Sequence, residues 1–277
     1  MMKKNSKPIG LFDSGVGGLS VAAAIREGLP NEDLIYVADQ AHVPYGPRSK
    51  AEVLDFSRGI VRFLLAKGSK LLVVACNTAS AAALHTLRAE FSDIQIVGME
   101  PAVKPAAEQT ESGVVGVLAT PSTFEGELYA SVVGRFAKDA TVLRSTCPGL
   151  VEEIEAGRAS GAKANGILRG ALEPMMAKGL DSVVLGCTHY PFALESIREI
   201  VGEGVRIFDP SPAIAKRVQF LLKQEQLANP SESAGSVQAY TSGDASEFGS
   251  MKGGFALEDA IEVDAVVWEG DELVEAA

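Results

Sequence analysis

Short aliphatic runs alternate with amphipathic stretches through most of this chain, and that alternation leaves few folds open. The runs fall at 9–12, 34–38, 71–75, 94–98, 114–119, 141–144, 182–186 and 205–208. Between them, 19–28, 51–67, 78–91, 123–137, 162–178 and 192–201 read as amphipathic helices. Strands apolar on both faces, each followed by a helix, predict parallel sheets covered on two sides. The expected class is therefore α/β with doubly wound sheets.

The pattern also repeats itself. Leu71-Leu72-Val73-Val74-Ala75-Cys76-Asn77-Thr78 resembles Ser182-Val183-Val184-Leu185-Gly186-Cys187-Thr188-His189, with the two cysteines 111 residues apart. The segment 96–103 resembles 207–214 at the same offset, and 9–14 resembles 115–120 at an offset of 106. Three matches in one order imply two similar α/β halves, roughly 7–103 and 113–214, related by a pseudo-two-fold axis. Beyond them, 225–236 is polar and loop-like, while 237–241 and 263–267 read as strands around a glycine-rich middle. The acidic residues from Glu269 onward are expected to fray.

Charge narrows the partners. A net charge of −11 and a pI near 4.9 argue against nucleic acid, whose binders need a basic patch. An anionic ligand must then be held by local donors such as helix N-termini. No apolar run approaches the roughly 20 residues that span a bilayer, and the N-terminus lacks the apolar core of a signal peptide. A cytoplasmic setting is expected, with Cys76, Cys147 and Cys187 as reduced thiols.

Cys76 and Cys187 each follow an aliphatic strand and precede a helix, so each thiol is expected at a helix N-terminus that favours thiolate. If the halves face each other, the two thiols flank one cleft. Such a pair suits removal of an α-proton from one face of a small amino acid and return of a proton to the other. A single buried cysteine is usually a small hydrophobe, but two at equivalent repeat positions, followed by Asn-Thr and Thr-His, point to chemistry. Cys147 has no repeat partner and reads as structural. His189 lies two residues beyond Cys187 and could orient or deprotonate a thiol. His42, in a loop, and His85, in an Ala-rich helix, suggest no such role. The glycine-rich segment 12–19 fits neither the P-loop nor the dinucleotide fingerprint, and Asp13 near its start reads as a base supporting a reacting group from behind or as a helix cap. The segment 43–49 reads as a turn.

Four motifs together resemble those of glutamate racemases: Phe12-Asp13-Ser14-Gly15-Val16-Gly17-Gly18-Leu19, Pro44-Tyr45-Gly46, Ala75-Cys76-Asn77-Thr78-Ala79 and Leu185-Gly186-Cys187-Thr188-His189-Tyr190-Pro191. The likeness runs from about Ile9 to Ala215, and Asp-Ser-Gly-Val-Gly-Gly favours glutamate over aspartate racemases. It implies cofactor-independent interconversion of L- and D-glutamate, with no metal, in a cleft between two domains. One domain comprises 1–98 plus 208–277 and carries Cys76; the other comprises 99–207 and carries Cys187. Cys76 resembles the thiol that handles the D-enantiomer's proton and Cys187 the one for the L-enantiomer, with Asp13 and His189 assisting. Asp13-Ser14, Tyr45-Gly46, Asn77-Thr78 and Thr188-His189 match substrate-contacting pairs. By the same likeness Glu155 is an accessory acid, although Glu152 stands where proline is usual and Glu153 lies beside it. Ala38 and His42 depart from the usual glycine and arginine ahead of Pro44. The family setting is D-glutamate supply for peptidoglycan, hence cell-wall biogenesis and cell shape, and it leaves a homodimer open.

Three rival readings fit the residues less well. A metal site built on Cys187, His189 and Cys147 lacks the paired spacings of zinc ligands. A non-catalytic binder of small anions has no use for symmetric thiols. A decarboxylase that protonates one face needs only one of them.

Overall fold

The computed structural model describes residues 4–251 and 261–276. Part of the glycine-rich stretch expected between the last strands, 252–260, lies outside the described residues. The chain divides into two compact units, Met1–Met99 with Ser211–Ala277, and Glu100–Pro210.

The first unit opens with β1 (Ile9–Asp13), α1 (Leu19–Gly28), β2 (Leu34–Ala38), α2 (Lys50–Ala66), β3 (Leu71–Val74), α3 (Asn77–Glu90) and β4 (Ile96–Gly98). The second holds α4 (Val103–Gln109), β5 (Val114–Ala119), α5 (Pro121–Phe124), α6 (Glu127–Phe136), β6 (Thr141–Ser145), α7 (Leu150–Glu155), α8 (Ala162–Met176), β7 (Ser182–Gly186), α9 (Leu194–Val201) and β8 (Arg206–Phe208). The chain then returns to the first unit with α10 (Ser211–Gln224), β9 (Val237–Thr241), α11 (Ala245–Met251), β10 (Ile261–Glu269) and β11 (Glu272–Glu275).

One sheet runs β11-β10-β9-β2-β1-β3-β4 and the other β6-β5-β7-β8. All neighbours are parallel except β10 and β11. The order β2-β1-β3-β4 in one unit is that of β6-β5-β7-β8 in the other. The repeated sequences therefore occupy matching strands: β1 with β5, β3 with β7, β4 with β8. In β1 every residue is buried, and Leu11 stands opposite Tyr36 on one side and Val73 on the other. A strand buried along its whole length in the middle of a parallel sheet has no polar side. In the second unit Val115, Val117 and Val184 form a core with Val103, Tyr129 and Val132.

Several elements differ from the sequence reading. The single helix expected over 123–137 is two, because Thr120 caps α5 by accepting the Thr123 N–H at 3.2 Å and the chain turns at Gly126 before α6. A further helix, 211–224, is absent from the sequence pattern above; Ile214, Val218, Leu221 and Leu222 line its buried face. The return to the first unit comes after Pro210, later than the expected 207/208 junction, because β8 pairs with β7 through Phe208.

The acidic tail does not fray: β11 pairs antiparallel with β10 around Gly270, where φ is +66°. Leu273 is buried in that hairpin, and the hairpin lies on α2 at Gly59. A Cβ at Gly59 would come within 2.5 Å of the Trp268 ring and 2.8 Å of the Asp271 carbonyl oxygen. Only glycine permits that approach. Among the described residues no helix is long and apolar enough to cross a membrane.

Candidate active site

Ligands of parallel α/β sheets bind beyond the carboxyl ends of the strands. In the first unit those ends hold Asp13, Cys76 and the loop after β2. Asp13 is fully buried, and its Oδ2 accepts the Gly18 N–H at 2.8 Å, which ties the carboxylate to the start of α1. A Cβ on Gly18 would lie 2.8 Å from the Tyr36 hydroxyl, so the turn after β1 needs glycine there. Ser14 is buried beside Asp13.

Cys76 is the N-cap of α3, and its Sγ accepts the Ala79 N–H at 3.4 Å. The exposed amides and dipole of that helix end favour the thiolate. Asn77 and Thr78 open the helix and are buried. Neither Oδ1 nor Nδ2 of Asn77 has a hydrogen-bond partner. A buried amide with both ends unsatisfied is rare in a folded interior.

Tyr45 is buried, and its hydroxyl donates to Asp39 Oδ2 at 2.7 Å. Burial raises its pKa well above the usual phenol value, and the negative groups at Asp39, Cys76 and Asp13 raise it further. The ring is therefore neutral, and Tyr45, Asp13 and Cys76 form one neighbourhood. Gly46 follows Tyr45 in the same turn.

The second unit gathers Cys187, Thr188, His189 and Glu155. Cys187 follows β7, but no α-helix starts there, against expectation. Residues Tyr190–Ala193 form a tight 3-10 turn containing Pro191, and α9 begins only at Leu194. The Tyr190 N–H donates to the Cys187 carbonyl at 3.1 Å and the Phe192 N–H to that of His189 at 3.0 Å. The Cys187 sulfur meets an imidazole instead: Sγ lies 3.9 Å from His189 Nδ1, a long sulfur contact.

His189 Nε2 lies 2.5 Å from Glu155 Oε1, at the end of α7. Burial works against a charged ring, yet the bonds to Cys187 and Glu155 outweigh it, and the His189 pKa rises well above its ordinary value. Thr188 is buried next to it.

The three acidic residues of α7 separate cleanly. Glu153 turns to Arg158 at 2.8 Å and Lys163 at 2.9 Å, and those hydrogen bonds hold its pKa down to about 2. Glu152 is exposed. Only Glu155 reaches His189.

Several residues escape the sequence reading or take a clearer place in the structure. Tyr190 is buried against Cys147, and burial pushes the Cys147 thiol up to about 12, so it stays protonated near neutrality. Asp39, at the end of β2, is fully buried yet went unread; an acidic residue closing an apolar strand was the available signal. His42 stacks on Phe56 with ring centres 3.8 Å apart, and His85 is exposed. Among the described residues no group of three His, Cys, Asp or Glu is arranged to hold a metal ion.

A family model for Asp/Glu/hydantoin racemases matches residues 11–218. Glutamate racemase of Roseiflexus sp. (strain RS-1) is 46% identical over 91% of this chain and 93% of its own length. The chain belongs to the Asp/Glu/hydantoin racemase family. This racemase is accordingly an isomerase with a two-domain α/β fold, and solved structures agree with that architecture. Escherichia coli glutamate racemase, in complex with L-glutamate and activator UDP-MurNAc-ala, is 35% identical with a TM-score of 0.82, covering 95% of this chain and 100% of that one. Glutamate racemase from Francisella tularensis, in complex with D-glutamate, is 32% identical with a TM-score of 0.79, covering 94% and 97%.

Proposed function

We propose that this racemase interconverts L- and D-glutamate without a cofactor, using Cys76 and Cys187 as the two acid/base groups. One thiolate removes the α-proton, leaving a carbanion conjugated with the substrate carboxyl. The opposite thiol gives its own proton to the other face. The sulfurs exchange protonation states, and the reverse reaction restores them. Cys187 takes the proton of the L-enantiomer and Cys76 that of the D-enantiomer.

The observation that carries this reading is the equivalence of the two thiols: each follows the third strand, β3 or β7, of a unit with the same strand order. Their surroundings differ in a way that suits one role each. Cys76 relies on the α3 N-terminus with Asp13 nearby, while Cys187 relies on His189 held by Glu155. Asn77, Thr78, Ser14, Tyr45, Gly46 and Thr188 would then hold the substrate's charged groups, and the unsatisfied Asn77 amide supports this. Relatives whose structures contain L-glutamate and D-glutamate support the choice of substrate. The same family supports a cytoplasmic role in supplying D-glutamate for peptidoglycan and cell shape.

The test is racemisation in deuterated water. L-Glutamate should lose optical rotation while gaining α-deuterium, and Cys76→Ser and Cys187→Ser should each slow this by about 100- to 10,000-fold. A mere binder would exchange no α-hydrogen. Parent-like rates in both single variants would end the two-thiol mechanism.

A further inference from the structure

The Asp39 side chain bonds to four other side chains near the proposed site, none of them a proposed acid/base group. Its carboxylate is fully buried. Oδ2 accepts the Tyr45 hydroxyl at 2.7 Å and faces His42 Nδ1 at 2.9 Å. Oδ1 accepts the Ser242 hydroxyl at 2.9 Å and the Trp268 indole N–H at 2.8 Å. An ionised carboxylate offers about four lone-pair sites, all in use here, so none remains for a substrate. The partners come from three places: the loop after β2, the residue after β9, and β10.

We propose that Asp39 is a positioning residue for substrate binding: it ties Tyr45 and Gly46 to the C-terminal segment and so fixes the loop that meets the amino acid. The inference rests on the reading of Tyr45-Gly46 as substrate contacts. Its chemistry demands an acceptor on both oxygens. Trp268 can only donate, and the Tyr45 hydroxyl spends its one proton on Asp39. The Asp39 backbone adds a second tie, since its N–H donates to the Asp13 carbonyl at 3.0 Å and its carbonyl accepts the His42 N–H at 3.1 Å. The loop end is braced again where the Arg48 Nε donates to the His42 carbonyl at 2.6 Å and the His42 ring stacks on Phe56 of α2. Trp268, which closes the set, is itself seated against Gly59.

Asp39→Asn is nearly isosteric, but it removes the charge and puts an NH2 either against the Trp268 N–H, which can only donate, or where the Tyr45 hydroxyl has its acceptor. Contacts that hold the substrate equally in the ground and transition states act on KM. The expected result is a KM for both enantiomers raised about tenfold or more, with kcat within about threefold. Trp268→Phe and Ser242→Ala, which each remove one donor and keep the packing, should raise KM in the same sense by a smaller factor. A merely structural role would instead lower kcat with the folded fraction and leave KM alone. If the parent racemises glutamate and all three variants keep its KM within twofold, the positioning role is overturned while the proposed function stands. If the parent does not racemise glutamate, the underlying reading fails and this inference falls with it.

Discussion

Asn77 carries a buried amide with no protein partner. Both of its amide atoms are buried and unbonded, at the first turn of α3 and next to Cys76. Hydrogen bonds to a charged partner contribute roughly 1.5–3 kcal/mol each, and no protein partner loses one when the amide is removed. Asn77→Ala is therefore expected to raise KM for glutamate by about tenfold or more. Thermal unfolding should leave Tm within about 2 °C of the parent. A large drop in Tm with unchanged KM would mean that the amide serves the fold. Glu153 makes the opposite case at the same scale. Its folded pKa of about 2 lies below the ordinary 4.5, so its stabilising effect is complete above pH 4.5 and fades as pH falls towards 2. Glu153→Gln should lower the urea midpoint at neutral pH, and the gap from the parent should close through that acid window.

At the scale of elements, buried polar ties hold pieces of chain that are distant in sequence. Lys70, at the start of β3, donates to Glu32 Oε2 at 2.5 Å and to the Asn5 carbonyl at 2.6 Å. Glu32 Oε1 in turn accepts the Asn229 N–H at 2.7 Å. Both side chains are almost fully buried, so removing one partner strands a charge. Glu32→Leu is expected to destabilise the protein by about 3–5 kcal/mol, read from denaturant unfolding, whereas Lys70→Met with Glu32→Leu should recover much of it. The strands around this pair were legible from sequence because continuous apolar runs such as 71–74 have only one home, a sheet buried on both faces. The turn at Cys187 was not. Thr-His-Tyr-Pro reads equally as a helix start or a tight turn, and the His189 bond to Glu155, 34 residues away, is invisible to local pattern.

For the whole molecule, the seven-stranded sheet is closed by chain that arrives last. β9 pairs with β2 from Leu34 to Ala38, and β10 and β11 extend the edge beyond it. Ending the chain after Ser236 would expose that edge of β2, remove Phe248 from beside Tyr36 and deprive Asp39 of Ser242 and Trp268. Such a truncation is expected to lose its cooperative thermal transition, with near-UV circular dichroism collapsing and no measurable racemisation. A truncated chain that kept a sharp transition would show the tail to be dispensable for the first unit.

What the amino-acid order determined by itself was local and repetitive: the α/β class, the duplicated strand–cysteine motif and the residues that cluster beyond each strand. Periodicity carries that information because burial on both faces and helical spacing act within a dozen residues. Only the tertiary structure decided the partners. It set Asp39 beside Trp268, 229 residues on, joined Glu155 to His189 and made a hairpin of the acidic tail. The reason is physical: a buried donor or acceptor must be satisfied by whatever the fold brings within about 3 Å, and chain distance has no vote in that.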